Sequence, residues 1–177
     1  MVADCPYTIK TFAPWFIDTV LAKLVPHLNV RALGVVGKAG RGKSPLVEGT
    51  SCVFSRFYQR KMNRPQNAIY RVACDLDFFR GEVGTTDRPD VFDDMDPRTV
   101  TAAKWKAFTD VGVTEAMTRE RWGASKWVRN QFRSFACNAF DDTDEPAFGN
   151  KVSHEVFMSL IAPIWGKNLT LKIRSPC

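Results

Sequence analysis

Eight consecutive residues, Gly37-Lys38-Ala39-Gly40-Arg41-Gly42-Lys43-Ser44, combine three glycines, three cations and a hydroxyl in an order that suits phosphate binding. They match GxxxxGK[ST] in full, at Gly37, Gly42, Lys43 and Ser44. Glycines let backbone N–H groups converge on phosphate oxygens without Cβ clashes, and a helix that follows turns its positive end toward the same anion. In such a cradle Lys43 reaches the β- and γ-phosphates of a nucleotide and Ser44 ligates Mg²⁺. The competing reading is a glycine-rich turn that spells the pattern by chance. Sequence context argues against it, because an apolar, β-branched run precedes the loop and a helical pattern follows.

A phosphate loop needs an acid for its metal, and two places offer one. Asp75 ends the run IYRVACD, and Asp93-Asp94 ends PDVFDD. The adjacent pair suits the task better. Asp93 can hold the Mg²⁺ shell with Ser44 while Asp94 accepts the proton of an attacking water. Neighbouring carboxylates raise one another's proton affinity, which favours the second as a base. The rival reading is a solvated turn capping the helix that follows. Asn138, after the strand-like FRSFAC, is the third part: its amide can bond a phosphate oxygen and the nucleophilic water. Taken alone it reads as a strand-ending turn residue.

Between these parts lies TRERWGASKWVRN, in which Arg119, Arg121, Lys126 and Arg129 interleave with Trp122 and Trp127. Cations can track a phosphate backbone while indoles stack on bases. The alternative places the tryptophans in the core and leaves the charges as a solvated face.

The elements that must position these groups follow from pattern. PWFIDTVLAKLV predicts an amphipathic helix over 14–25, with Trp15, Ile17, Val20, Leu21 and Leu24 on one face. Strands are expected at 30–36, 69–74, 89–92, 132–137 and 169–173, and helices at 44–59, 99–110 and 154–165. A hairpin is expected over 118–130, turning at Gly123-Ala124-Ser125. Pro45 is tolerable only in a first helical turn, where amides lack intrahelical acceptors. Strands alternating with helices predict an α/β fold with much parallel pairing.

Composition bounds the rest. A chain of 177 residues with 45% hydrophobic residues can bury a core, and a net charge of +6 favours an anionic partner. No run approaches a membrane span, and the N-terminus lacks a secretory h-region. The five cysteines are scattered with no CxxC pair, and there are two histidines. This argues against a zinc site or disulfide framework and for thiols in a reducing, intracellular compartment.

GKAGRGKS, VFDDMD, WGASKWVRN and FACN, in that order, resemble a superfamily 3 helicase, in particular the ATPase domain of replication proteins from small circular single-stranded DNA viruses. RNA-virus helicases are a near alternative. The resemblance covers about residues 30–140. It implies an AAA+-like P-loop NTPase fold, a three-layer sandwich around a central, mostly parallel five-stranded sheet spanning 29–177, with 1–28 as an N-terminal helical segment. Residues 37–44 become Walker A, Asp93 and Asp94 Walker B, the segment with Lys126 motif B′, and Asn138 motif C. The implied ligands are ATP and Mg²⁺, the implied track is single-stranded DNA or RNA, and the implied assembly is a homo-oligomeric ring, a hexamer. The first helix is then either a collar or a helix packed on its own domain. The nickase domain of such initiators has no counterpart here, so the chain reads as an isolated motor domain, a fragment or an endogenised relative. Two other readings stay open: a small P-loop kinase using Asp75 and Asp77 with residues 119–129 as a lid, and a non-catalytic module that binds nucleic acid or a partner.

Overall fold

The computed structural model describes residues 2–4, 7–37, 39–64, 67–95, 99–113, 115–120 and 123–138. The helix expected at 154–165 and the strand expected at 169–173 lie outside them.

The fold is α/β. Four parallel strands, β2 (Leu33–Gly37), β3 (Ile69–Ala73), β4 (Asp90–Phe92) and β7 (Arg133–Asn138), lie in the order β3-β4-β7-β2. β1 (Val2–Asp4), which the sequence reading did not anticipate, joins antiparallel outside β3. Strand β7 lies between the strand leading into the glycine loop and the strand leading into the acids. It aligns Gly37 with Asn138 on one side and Phe92 with Phe135 on the other.

Alternation along these short strands supplies two cores, one on each face. Val91 and Ala136 join Val47, Cys52, Ala68 and Tyr70 beneath α3 (Lys43–Lys61). Phe92, Phe135 and Cys137 turn the other way, onto Leu76, Phe79, Trp105 and Phe108 from the 3₁₀ turn Leu76–Phe79 and helix α4 (Ala102–Thr109). Helical elements therefore cover both faces of the sheet. Thr101 caps α4, its hydroxyl accepting the Lys104 N–H.

β5 (Glu115–Glu120) and β6 (Gly123–Val128) form a separate antiparallel hairpin. Gly123, Ala124 and Ser125, expected at its turn, are strand residues; the chain reverses between Glu120 and Gly123 instead.

The N-terminal segment is not one uniform amphipathic helix. Helical turns α1 (Pro14–Phe16) and α2 (Ala22–Leu24) flank a π-helical stretch, Ile17–Leu21, and the 3₁₀ turn Val25–His27 follows. The wider π turn rotates the helix face, so Val20 and Leu21 are buried while Trp15, expected beside them, is 55% exposed. The segment packs on its own domain. Phe12 lies so close to Gly49 of α3 that a Cβ there would sit 3.0 Å from its ring, and Arg56 donates to the Tyr7 carbonyl. A cleft of about 480 Å³, lined by Ile17, Leu21, Val25, Val53, Phe54 and Phe57, separates the segment from the outer part of α3.

Cys52 is disulfide-bonded, which corrects the expectation of reduced thiols throughout. Cys74 and Cys137 remain thiols. A reducing compartment therefore no longer follows from the cysteines.

Candidate functional site: a glycine loop, an acid pair and an amide at one sheet edge

The loop from β2 to α3 has the backbone that its glycines predict. Gly40 and Gly42 adopt φ of +73° and +74°, the left-handed region where a Cβ is strained. Gly42 caps α3, and the Leu46 amide already bonds the Gly42 carbonyl. Pro45 is the third residue of α3, so its missing N–H and fixed φ do not displace the helix start. Lys43 opens the helix and is 9% exposed, its stem 4.0 Å from where a Gly37 side chain would begin. Ala39, Gly40, Arg41 and Gly42 are exposed, while Lys38 lies outside the described residues.

The acids meet this loop. Ser44 Oγ donates to Asp93 Oδ1 at 3.0 Å, tying the first turn of α3 to the end of β4. The Asp94 amide bonds the same Asp93 oxygen at 3.0 Å, and Asp94 itself adopts φ +49°. Asn138 Nδ2 donates to Asp94 Oδ1 at 2.8 Å. Thus Gly37, Lys43, Ser44, Asp93, Asp94 and Asn138, drawn from three strand ends and a helix start, gather at the carboxyl edge of the parallel strands. Ligands of open α/β sheets bind at that edge.

One contributor escaped the sequence reading. Glu48, one helical turn beyond Ser44, has its carboxyl pushed up by burial and by Asp93, against a hydrogen bond with Tyr70 that lowers it. Burial, with Glu48 beside it, pushes the Tyr70 hydroxyl up to about 12. The i to i+4 spacing of Ser44 and Glu48 was the available signal.

Ser44 and Asp93 offer hard oxygens 3.0 Å apart, a donor set that fits Mg²⁺ completed by phosphate and water. Among the described residues no cluster of three or more His, Cys, Asp or Glu forms an all-protein metal site.

The alternative acids have structural partners. Asp75 Oδ1 accepts the Asp77 amide at 2.9 Å, capping the 3₁₀ turn, and Asp77 pairs with Arg80 at 2.6 Å and Lys104 at 3.1 Å.

The hairpin divides the predicted nucleic-acid residues. Lys126 and Arg129 are exposed. Trp127 is fully buried, and its Nε1 donates to Asp90 Oδ2 at 2.9 Å, so it is not a stacking platform. The reason is strand parity: Ser125 and Trp127 share the inward face, and Lys126 takes the outward one. Arg119 holds the register position opposite Ala124, while Arg121 and Trp122 lie outside the described residues.

Comparisons with protein-family models, curated proteins and solved structures give no match for this chain.

Proposed function

We propose that this chain is a P-loop ATPase domain of the AAA+-like, superfamily 3 helicase type, hydrolysing ATP with Mg²⁺ while engaged on single-stranded DNA or RNA. The observation that carries the reading is the bond from Ser44 Oγ to Asp93 Oδ1, made where the glycine loop enters α3. A chance turn has no reason to meet an acid pair from a strand two positions across the sheet.

The chain's own residues divide the work. Backbone N–H groups of residues 39–43 and the start of α3 receive the phosphates, and Lys43 supplies a fixed positive charge. Ser44 and Asp93 would hold Mg²⁺, which neutralises developing charge on the phosphates. Asp94 accepts the proton of the attacking water, and Asn138 fixes its carboxylate in place. Lys126 and Arg129 offer the nucleic-acid backbone an exposed positive edge. A hexameric ring belongs to the same resemblance.

The decisive experiment measures ATP turnover with and without single-stranded DNA and RNA, beside the mass in solution. The proposal expects nucleic-acid-stimulated turnover that Lys43→Ala abolishes. Turnover unaffected by Lys43→Ala removes the loop as the site. Turnover that depends on a small phosphate acceptor and ignores nucleic acid returns the kinase reading, and nucleic-acid binding without turnover leaves the non-catalytic one.

A further inference from the structure

Trp127 was expected on the nucleic-acid side, yet it is buried on a carboxylate that belongs to the acid strand. Asp90, three residues before Asp93 on β4, has no exposed surface. It accepts from Arg71 through two bonds, at 2.7 and 2.6 Å, and from Trp127 Nε1 at 2.9 Å. Bonds of N–H donors to a carboxylate are strong when water is excluded. Arg71 alone would neutralise Asp90, so the indole N–H is not needed to balance charge. What it adds is a link between the hairpin and β4.

The rest of the hairpin base is fastened alongside. Ser125 Oγ donates to the Leu76 carbonyl at 3.1 Å, the Lys126 carbonyl accepts from Gly84 N at 2.8 Å, and the Trp127 ring meets Phe108 and Phe79 edge-on. The Arg133 guanidinium lies 5.9 Å from the same ring and donates to the carbonyls of Ala107 and Asp110, where α4 ends. Lys126, next in the chain, stands exposed on the opposite face of β6. The exposed edge is thus joined to β4 through Lys126, its neighbour Trp127 and Asp90, three residues before Asp93.

We infer that Trp127 and Asp90 are positioning residues that couple occupancy of the hairpin to the placement of the acid pair, so that nucleic acid and nucleotide bind interdependently. The inference rests on the ATPase reading and goes further by naming the joint. Such coupling is reciprocal: whatever factor nucleic acid adds to nucleotide affinity, nucleotide adds to nucleic-acid affinity.

The test uses Trp127→Phe, which keeps a buried ring, removes the single N–H, and leaves Asp90 paired with Arg71. Affinity for a fluorescent dT20 oligonucleotide is measured with and without a non-hydrolysable ATP analogue and Mg²⁺, in parent and variant. The expected result is a nucleotide-dependent change of about fivefold or more in the parent. In the variant it falls below about twofold, while nucleotide-free oligonucleotide affinity stays within about twofold of the parent. A purely structural tryptophan would not separate these readouts. Equal coupling in parent and variant overturns the inference, as does a parent in which nucleotide leaves oligonucleotide affinity unchanged. In both cases the ATPase reading is judged separately, by Lys43→Ala. Should the variant fail to fold, hydrogen exchange at residues 90–93 of the parent decides: oligonucleotide binding must change it, and unchanged exchange overturns the inference.

Discussion

Asn138 Nδ2 donates to Asp94 Oδ1 across 2.8 Å and joins the tips of adjacent parallel strands β7 and β4. Without it, Asp94 keeps its left-handed backbone and its link to Asp93 but loses the group that aims its carboxylate. Asn138→Ala should retain nucleotide affinity and lower kcat by up to about 100-fold, the scale of a small misplacement of a reacting group. Equilibrium binding of a nucleotide analogue beside steady-state turnover checks this. Loss of binding would instead make Asn138 a structural residue.

Ser44 and Asp93 share a bond that a divalent cation must reorganise. Ser44→Ala should raise the Mg²⁺ concentration for half-maximal turnover by at least about tenfold, with little change in melting temperature. A Mg²⁺ titration of activity at saturating ATP reads the shift.

Gly42 sits at φ +74°, so Gly42→Ala should strain the loop by about 1–2 kcal/mol. The loss should be visible in denaturant unfolding and larger in nucleotide affinity, because the loop amides would no longer converge. A variant that binds nucleotide as tightly as the parent would show that the loop is not the cradle.

The exposed and buried members of the hairpin should separate cleanly. Lys126→Ala and Arg129→Ala should each weaken oligonucleotide binding and reduce the salt slope by about one. Trp127→Ala should cost about 3–5 kcal/mol of stability, as large core truncations do, with Asp90 losing a partner besides. Binding at several salt concentrations and urea unfolding discriminate the two.

Glu48 gives the fold a pH dependence of definite sign. Its carboxyl is pushed above the usual value of 4.5 by burial and by Asp93, so the folded state binds its proton more tightly than the unfolded chain does. The ionised form costs stability at neutral pH, and that cost is relieved as pH falls through the raised value toward 4.5. Glu48→Gln should therefore raise the melting temperature at pH 7 and show a shrinking advantage as the pH approaches 4.5. Thermal melts across that range test it.

The legible parts of the sequence were those whose physics is local. Glycines at 40 and 42 announce positive φ, VFDD marks a strand ending in acids, and Pro45 can sit only in a first turn. The four parallel strands share that clarity, because β-branched or aromatic runs end in polar residues. What was illegible depends on partners distant in sequence. β1 is three residues long and becomes a strand only by pairing with β3. Alternating cations and aromatics read alike from either face, so the burial of Trp127 depended on a register fixed by residues 115–120. Asp90 looked like the start of a strand and proved to be the acceptor for Arg71 and Trp127. The face of the first helix turned on a π stretch that no periodicity announces.

The pairing of β2 with β7 also bears on how the protein is made. Leu33 aligns with Ser134, closing a loop of roughly 100 residues, and among the described strands β7 is the only neighbour β2 has. Contacts so distant in sequence form slowly. During synthesis the glycine loop therefore leaves the ribosome long before the strand that anchors it. The nascent chain carries an apolar, β-branched segment, residues 33–36, with nothing yet to pair against. The strand ends that gather the glycine loop, the acid pair and Asn138 are complete only once β7 has emerged, and chains stalled before residue 138 should be the aggregation-prone species in any expression host.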